Sequence, residues 1–177
     1  MTLTELNKRE INGFFLTDKG WTHNYLPDYE KLFFPFKDAK INIFEVGYLH
    51  GGSCQLWEKY FINAKIKSID VDHCVPLPTS DRVILELRDM CKTTSEYFDD
   101  FPPTIAIDDG SHLLEDQIHF IKTVYPVLKP GGLLIIEDVQ NIERHKAVFE
   151  ILGIPFEVFD LRHVAGRYDD VFILYRK

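Results

Sequence analysis

From residue 41 onward the hydrophobic positions alternate between two periods. Ile41-Asn-Ile-Phe-Glu-Val46 is a β-branched and aromatic run that stops at Gly47, which predicts a strand with a sharp exit. Gly52–Phe61 then carries Leu56, Trp57, Tyr60 and Phe61, the stripe of a helix. Lys65–Val71, Arg82–Leu87 and Pro103–Ile107 predict three more strands, the last running into Asp108-Asp109-Gly110. Leu114, Ile118, Ile121 and Tyr125 return to helical spacing until Pro130-Gly131-Gly132 ends that helix. Leu133-Leu-Ile-Ile136 is apolar at every position, as a strand buried on both faces in mid-sheet should be. Ile142–Leu152 predicts another helix, with Phe149 and Leu152 on one side. Pro155–Leu161 and Asp170–Tyr175 are both strand-like, and the stretch between them predicts a loop rather than a helix. Those two must therefore pair as an antiparallel hairpin. Before residue 40 the chain is polar and aromatic, punctuated by Gly13, Gly20 and Pro27, with short helices expected at Thr4–Glu10 and Pro27–Phe33.

Strands that alternate with helices build a parallel sheet. The expected fold class is α/β, a doubly wound, mostly parallel seven-stranded sheet closed by a C-terminal antiparallel hairpin. That closing pair is the layout of the Rossmann-like class I methyltransferases, whereas a plain dinucleotide-binding domain would end on another parallel strand. At 177 residues the chain fits one compact domain. Within it, residues 1–40 form a helical and loop arm and residues 41–177 the sheet domain.

Composition narrows the partners. A net charge of −8 opposes a general electrostatic grip on nucleic acid. The N-terminus shows no apolar signal region, and no apolar run is long enough to span a bilayer, so a cytoplasmic protein with no membrane partner is expected. Cys54, Cys74 and Cys91 are widely spaced with no Cys-x-x-Cys pair, which fits reduced thiols.

The first candidate motif is Glu45-Val-Gly47-Tyr-Leu-His-Gly51-Gly52. A strand that turns straight into a helix needs glycine for its backbone, and the free N–H groups at the helix start face the ligand. Dinucleotide sites use G-x-G-x-x-G, whose middle glycine makes room for a pyrophosphate. Leu49 fills that position here, which disfavours a nicotinamide cofactor and leaves S-adenosylmethionine, which has no phosphate, unopposed. Alone, the motif is equally a tight structural turn. Asp70, at the end of the second strand and 23 positions after Gly47, is placed to accept both ribose hydroxyls of a nucleoside. Asp89 follows the third strand, either as a contact to an adenine amino group or as a solvated loop residue.

Acidic residues also gather where two strands end. Asp108-Asp109-Gly110-Ser111-His112 leaves the fourth strand, and Glu137-Asp138 leaves the fifth. Neighbouring strands lie about 5 Å apart, so four carboxylates converge at the carboxyl edge, where open α/β sheets bind ligands. Like charges packed together need a cation or protons, and an all-oxygen ligand set suits Mg²⁺, or Ca²⁺ or Mn²⁺. The plainer alternative is a set of turn and helix-capping residues. His112, three residues beyond Asp109, is placed to take a proton near neutral pH.

These residues resemble a known group. Glu45-Val-Gly47 through Gly51-Gly52-Ser53, Leu56-Trp57, Tyr60-Phe61, Ile107-Asp-Asp-Gly-Ser-His112, and Leu128-Lys-Pro-Gly-Gly132 through Ile136-Glu-Asp138 are similar to the cephalosporin hydroxylase-like and macrolide-sugar O-methyltransferase family. Thr17-Asp18-Lys19-Gly20, His23, Tyr25 and Tyr29 resemble a stretch before the first strand of that group. The resemblance implies a Mg²⁺-dependent O-methyltransferase acting on a small-molecule or glycoside acceptor, and a homo-oligomer. It assigns Asp109, Glu137 and Asp138 as metal ligands and His112 as general base beside Asp109. It matches Glu45, Gly47, Asp70 and Asp108 to cofactor-binding positions, to which the residues themselves add Gly51 in the turn and Asp89 after the third strand as candidates. Two departures stand out: the chain lacks the large N-terminal domain of several relatives, and Arg88-Asp89-Met90-Cys91 replaces the group's Gly-Asp-Gln. The rival readings are a catechol-type methyltransferase and a nucleoside-binding partner subunit without catalysis. Asp18, Lys19, His23 and Tyr25 are expected either to close over the acceptor as a lid or to pack on the sheet, with Trp21 and Tyr29 as anchors.

Overall fold

A computed structural model describes residues 1–7, 17–72 and 80–177. Its seven strands are β1 (Asn42–Val46), β2 (Lys65–Asp70), β3 (Val83–Leu87), β4 (Ile105–Asp108), β5 (Leu133–Ile136), β6 (Phe156–Asp160) and β7 (Val171–Arg176). They form one sheet in the order β3-β2-β1-β4-β5-β7-β6. Strands β1 to β5 are parallel, and β7 runs antiparallel to both β5 and β6. The order reverses between β1 and β4, which sets the ligand crevice at their carboxyl ends. The expected fold class is borne out, including the place of Leu133–Ile136 inside the sheet.

Period-two alternation splits the apolar side chains between two cores. On one face Ile43, Ile66, Ile105, Ile107, Leu133 and Ile135 pack against α1 (Leu3–Leu6), α2 (Leu26–Phe33) and α3 (Gly52–Tyr60). On the other, Phe44, Ile69, Ala106, Leu134 and Ile136 pack against α4 (Leu114–Val124) and α5 (Ile142–Glu150). All four residues of β4 and of β5 are buried, as strands covered on both sides must be.

Local chemistry explains the element ends. Pro27 sits in the first turn of α2, where its missing N–H costs nothing. Asn141 caps α5 by accepting the Arg144 N–H. The helix expected over Thr4–Glu10 appears as Leu3–Leu6, and its remainder, with Gly13 and Cys74, lies outside the described residues. The loop expected between the last two strands contains one helical turn, α6 (Arg162–Ala165), stopped by Gly166 in the left-handed conformation. Arg162 ties that turn to Asp160 and Glu143 by 2.6 Å contacts, so it is held by local ion pairs that hydrophobic period does not report. Among the described residues, no helix is long and apolar enough to cross a membrane.

Candidate active site

The turn after β1 is shaped by the turn after β4. Gly47 has φ +92°, and a Cβ there would lie 2.0 Å from the carbonyl oxygen of Asp109, so backbone meets backbone and only glycine fits. Beyond it the chain passes Leu49, also left-handed at φ 44°, and enters α3. Asp70, at the end of β2, holds this turn in place. Its Oδ2 accepts the N–H groups of Tyr48 (2.7 Å) and Leu49 (3.0 Å), and its Oδ1 accepts that of Asp72 (3.1 Å). Burial pushes the Asp70 carboxyl up, but the N–H groups of Leu49, Asp72 and Tyr48 outweigh it and hold the group below the usual carboxylate range.

A cavity of about 680 Å³ opens over this crevice. Of the residues singled out from the sequence, Gly47, Asp70, Asp89, Asp108, Asp109, His112 and Asp138 line it. Glu45, Gly51 and Glu137 do not. Glu45 is fully buried beneath the turn, where its Oε2 accepts from Ser53 Oγ (2.8 Å) and Trp57 Nε1 (3.1 Å). Gly51 caps α3. Among the described residues, seven aspartates line the cavity, against one arginine, Arg88, and two histidines, His50 and His112. Such a wall repels a pyrophosphate and suits a cationic ligand.

The acidic cluster follows from strand alternation. Glu45 continues the face of Ile43, Asp109 that of Ile107, and Glu137 that of Ile135, so all three side chains emerge on the α1–α3 side. Between them lies the ammonium group of Lys19, which the sequence reading placed only in the arm. Its Nζ is 2.5 Å from Asp109 Oδ2, 2.7 Å from Glu137 Oε2 and 3.6 Å from Glu45 Oε1, and the side chain is 1% exposed. Burial would discharge such an amine, but Asp109, Glu137 and Glu45 hold its pKa well above the ordinary value. Asp109 responds in kind: burial raises its pKa, and Lys19 and His112 bring it below normal. Burial lifts Glu137 well above the carboxylate range, and Glu45 and Asp108 to about 7 each. Glu45 Oε1 is buried and accepts no hydrogen bond.

The arm supplies more than Lys19. Tyr29 donates to Glu137 Oε1 (2.7 Å), and Tyr25 donates to Asp138 Oδ1 (2.7 Å). His23 Nδ1 lies 2.9 Å from Asp170 Oδ1. Lys19, His23, Tyr25 and Tyr29 are all buried, whereas Trp21, expected to anchor the arm, is 61% exposed at the cavity rim. Lys19, His23, Tyr25 and Tyr29 thus pack behind the site against its carboxylates, while Thr17, Asp18 and Trp21 of the arm line the cavity.

The cluster also has an open side. His112 Nε2 is 3.3 Å from Asp109 Oδ1 and 3.7 Å from Asp138 Oδ2, and one ligand atom from each of the three lies within 4.8 Å of the others. His112 and Asp138 both take positive φ, 60° and 52°. Side chains in that region are held there by their surroundings, and here both point into one site. Burial lowers the His112 pKa, but the Asp109 hydrogen bond and the charges of Asp138, Asp109 and Asp108 raise it above the ordinary value overall. Of the expected metal ligands, Asp109 and Asp138 reach this open side together with His112. Both oxygens of Glu137 are taken by Lys19 and Tyr29.

No family model matches the chain. Curated relatives do. It is 31% identical over 142 residues to an 8-demethyl-8-alpha-L-rhamnosyl tetracenomycin-C 2'-O-methyltransferase of Streptomyces olivaceus, covering 71% of this chain and 35% of that protein. It is 27% identical over 149 residues to the mycinamicin VI 2''-O-methyltransferase of Micromonospora griseorubida, covering 77% and 36%. The chain thus spans about a third of the length of these relatives. Among solved structures, the MycE methyltransferase of mycinamycin biosynthesis, in complex with Mg and SAH, superposes with a TM-score of 0.74 at 22% identity, over 99% of this chain and 55% of that one. The resemblance to sugar O-methyltransferases is borne out, and the fold is that of the class I methyltransferases.

Proposed function

We propose that this chain is an S-adenosylmethionine-dependent O-methyltransferase of the cytoplasm that uses a divalent cation, Mg²⁺ foremost, to methylate a hydroxyl of a sugar or another small polar acceptor. The observation that carries this reading is the acid-lined cavity at the β1/β4 switch point, with Gly47 and Asp70 at one end and Asp109, His112 and Asp138 at the other. The relatives are named as methyltransferases of rhamnosyl tetracenomycin and mycinamicin, which supports a glycoside acceptor.

The residues present fit both groups. An excess of carboxylate over the single Lys19 ammonium, with one buried Glu45 oxygen lacking a hydrogen bond, leaves negative charge for a hard cation to balance. Asp109 and Asp138 would hold that cation, with Glu137 behind them and His112 beside them as the base. Gly47 lines the cavity at the turn that Asp70 holds, and Asp70 Oδ1 keeps a lone pair for a ribose hydroxyl. When bound, S-adenosylmethionine supplies the electrophilic methyl on its sulfonium sulfur, and the cation lowers the pKa of the acceptor hydroxyl. The aspartates of the wall favour a cationic ligand over a phosphate, which also disfavours nucleic acid as acceptor. His112 Nε2 takes the proton of the hydroxyl, and the carboxylates of Asp109 and Asp138, 3.3 and 3.7 Å from that nitrogen, stabilise the imidazolium so formed. The rest of the task is positioning, and the walls built by Asp70, Asp138 and the arm provide it.

Calorimetry with S-adenosylhomocysteine and with NADH tests the cofactor, and mass spectrometry of glycosides incubated with S-adenosylmethionine and MgCl₂ tests the reaction. Binding of the homocysteine form and a 14-Da mass gain on a glycoside, about one methylene, are expected. NADH binding without S-adenosylhomocysteine binding would overturn the reading.

A further inference from the structure

Lys19 is a lysine with no route to water. It is 1% exposed, it reaches three strands at once, and it enters from the arm, 23 positions before the first residue of β1. Its three carboxylate partners emerge from β1, β4 and β5, the strands that flank the switch point. Without a cation, those strand ends would hold three converging acids on one face of the sheet, and each would repel the others in a medium where charge is poorly screened.

We propose that Lys19 is a positioning residue, an internal counter-cation that keeps the strand ends of the site assembled when no divalent ion is bound. Its ammonium takes Asp109 Oδ2 and Glu137 Oε2, and so turns Asp109 Oδ1 towards His112 and the cavity. The cluster is thereby divided. The closed half, around Glu45 and Glu137, holds the chain's own cation, and the open half, Asp109 and Asp138 beside His112, is left for an exchangeable one. Thr17 fixes the start of the short helix that carries Lys19, accepting the Lys19 N–H, and Asn7 holds Thr17 by two hydrogen bonds of 2.9 and 3.0 Å. The ammonium is therefore delivered by a braced backbone and not by a free side chain.

The divalent-ion arm of this inference rests on the metal reading above, and the charge-compensation arm does not. The experiment keeps them apart by measuring thermal unfolding of the whole chain in EDTA and in MnCl₂. Lys19→Met keeps the unbranched side chain, one heavy atom shorter, and removes its charge. In EDTA its Tm is expected to fall by about 10 °C or more, since it leaves buried charge uncompensated. Mn²⁺ is expected to raise the Tm of Lys19→Met more than that of the wild type, because the vacated seat offers Asp109 and Glu137 to the ion. The double variant Lys19→Met with Glu137→Gln removes one acid together with the ammonium, and its amide can donate to Asp109 in place of the ammonium. It is expected to regain most of the lost stability in EDTA, and to be soluble even if the single variant is not. A Lys19→Met protein within about 2 °C of the wild type in EDTA would overturn the proposal. So would a double variant no more stable, or no more soluble, than the single one. Rescue by Glu137→Gln with no Mn²⁺ response in any of the proteins would uphold Lys19 as counter-cation and sink the metal reading alone.

Discussion

Replacing Asp70 by Asn tests how the cofactor turn is held. The carboxylate accepts three backbone N–H groups, two on Oδ2 and one on Oδ1. An asparagine has one acceptor oxygen, so it keeps either the Tyr48 and Leu49 pair or the Asp72 contact, and it sets an NH₂ group against the donors it abandons. Hydrogen bonds to a charged group contribute about 1.5–3 kcal/mol each, and the half-buried position of Asp70 puts the loss nearer the lower end, about 2 kcal/mol. For a chain of this size that is a fall in Tm of roughly 4–8 °C. The pH dependence has a fixed sign. The folded-state pKa lies below the unfolded value of about 3.9, so the stabilisation is present above that pH and is lost as pH falls through the folded value. The gap between wild type and Asp70→Asn should therefore be full at neutral pH and shrink below about pH 4. Thermal unfolding across that range reads the gap. Calorimetry with S-adenosylhomocysteine reads the second consequence, an affinity loss of about 10-fold or more from a displaced turn and a missing ribose acceptor. Equal Tm at neutral pH together with equal affinity would refute the assignment of Asp70 as the brace of this turn.

Three further outcomes follow from the geometry. Gly47→Ala should lose about 1–3 kcal/mol from its left-handed backbone alone, and more from the clash with the Asp109 carbonyl, and S-adenosylhomocysteine binding should vanish; a variant that melts and binds like the wild type would mean the turn is not built this way. Tyr25→Phe should cost about 1–3 kcal/mol by orphaning a buried Asp138 oxygen, and should weaken Mn²⁺ binding in a fluorescence or calorimetric titration, whereas an unchanged Mn²⁺ affinity would separate Tyr25 from the orientation of Asp138. His112→Ala should lower kcat by about 10²–10⁴-fold on any glycoside that the wild type methylates while leaving S-adenosylhomocysteine affinity intact, and equal rates would remove His112 from the proton transfer.

The fold was legible because its signals are local and redundant. Each parallel strand carries an apolar run, each helix a stripe, and the tail lacks the residues for a crossover, so Pro155–Leu161 and Asp170–Tyr175 had to pair with each other. The boundaries moved by one or two residues, as at Leu26, where α2 begins one residue early, and at Glu150, where α5 ends two residues early. The turn α6 escaped because it depends on Arg162 reaching Glu143, 19 residues away, a contact with no periodic trace.

The site was legible for its acids and not for its bases. Carboxylates that follow Ile43, Ile107 and Ile135 in strand register must share a face, and period two is enough to say so. What neutralises them is a matter of tertiary placement. Lys19 sits in a polar stretch where a solvated lysine is the ordinary expectation, and nothing in Thr17-Asp18-Lys19-Gly20 indicates that the side chain is buried. The usable signal was charge balance. A buried cluster of acids requires positive charge, and a divalent ion is only one of its sources; the chain's own cations must be exhausted before an ion is invoked. The arm offered Lys19, next to His23, which faces Asp170, and two tyrosines that donate hydrogen bonds to carboxylates. Four polar donors spaced over Lys19 to Tyr29, just upstream of strands that end in acids, are together a sequence pattern for a wall that completes an anionic site. The inward positions of the segment go to donors, and the large apolar ring of Trp21 is left exposed at the rim of the cavity.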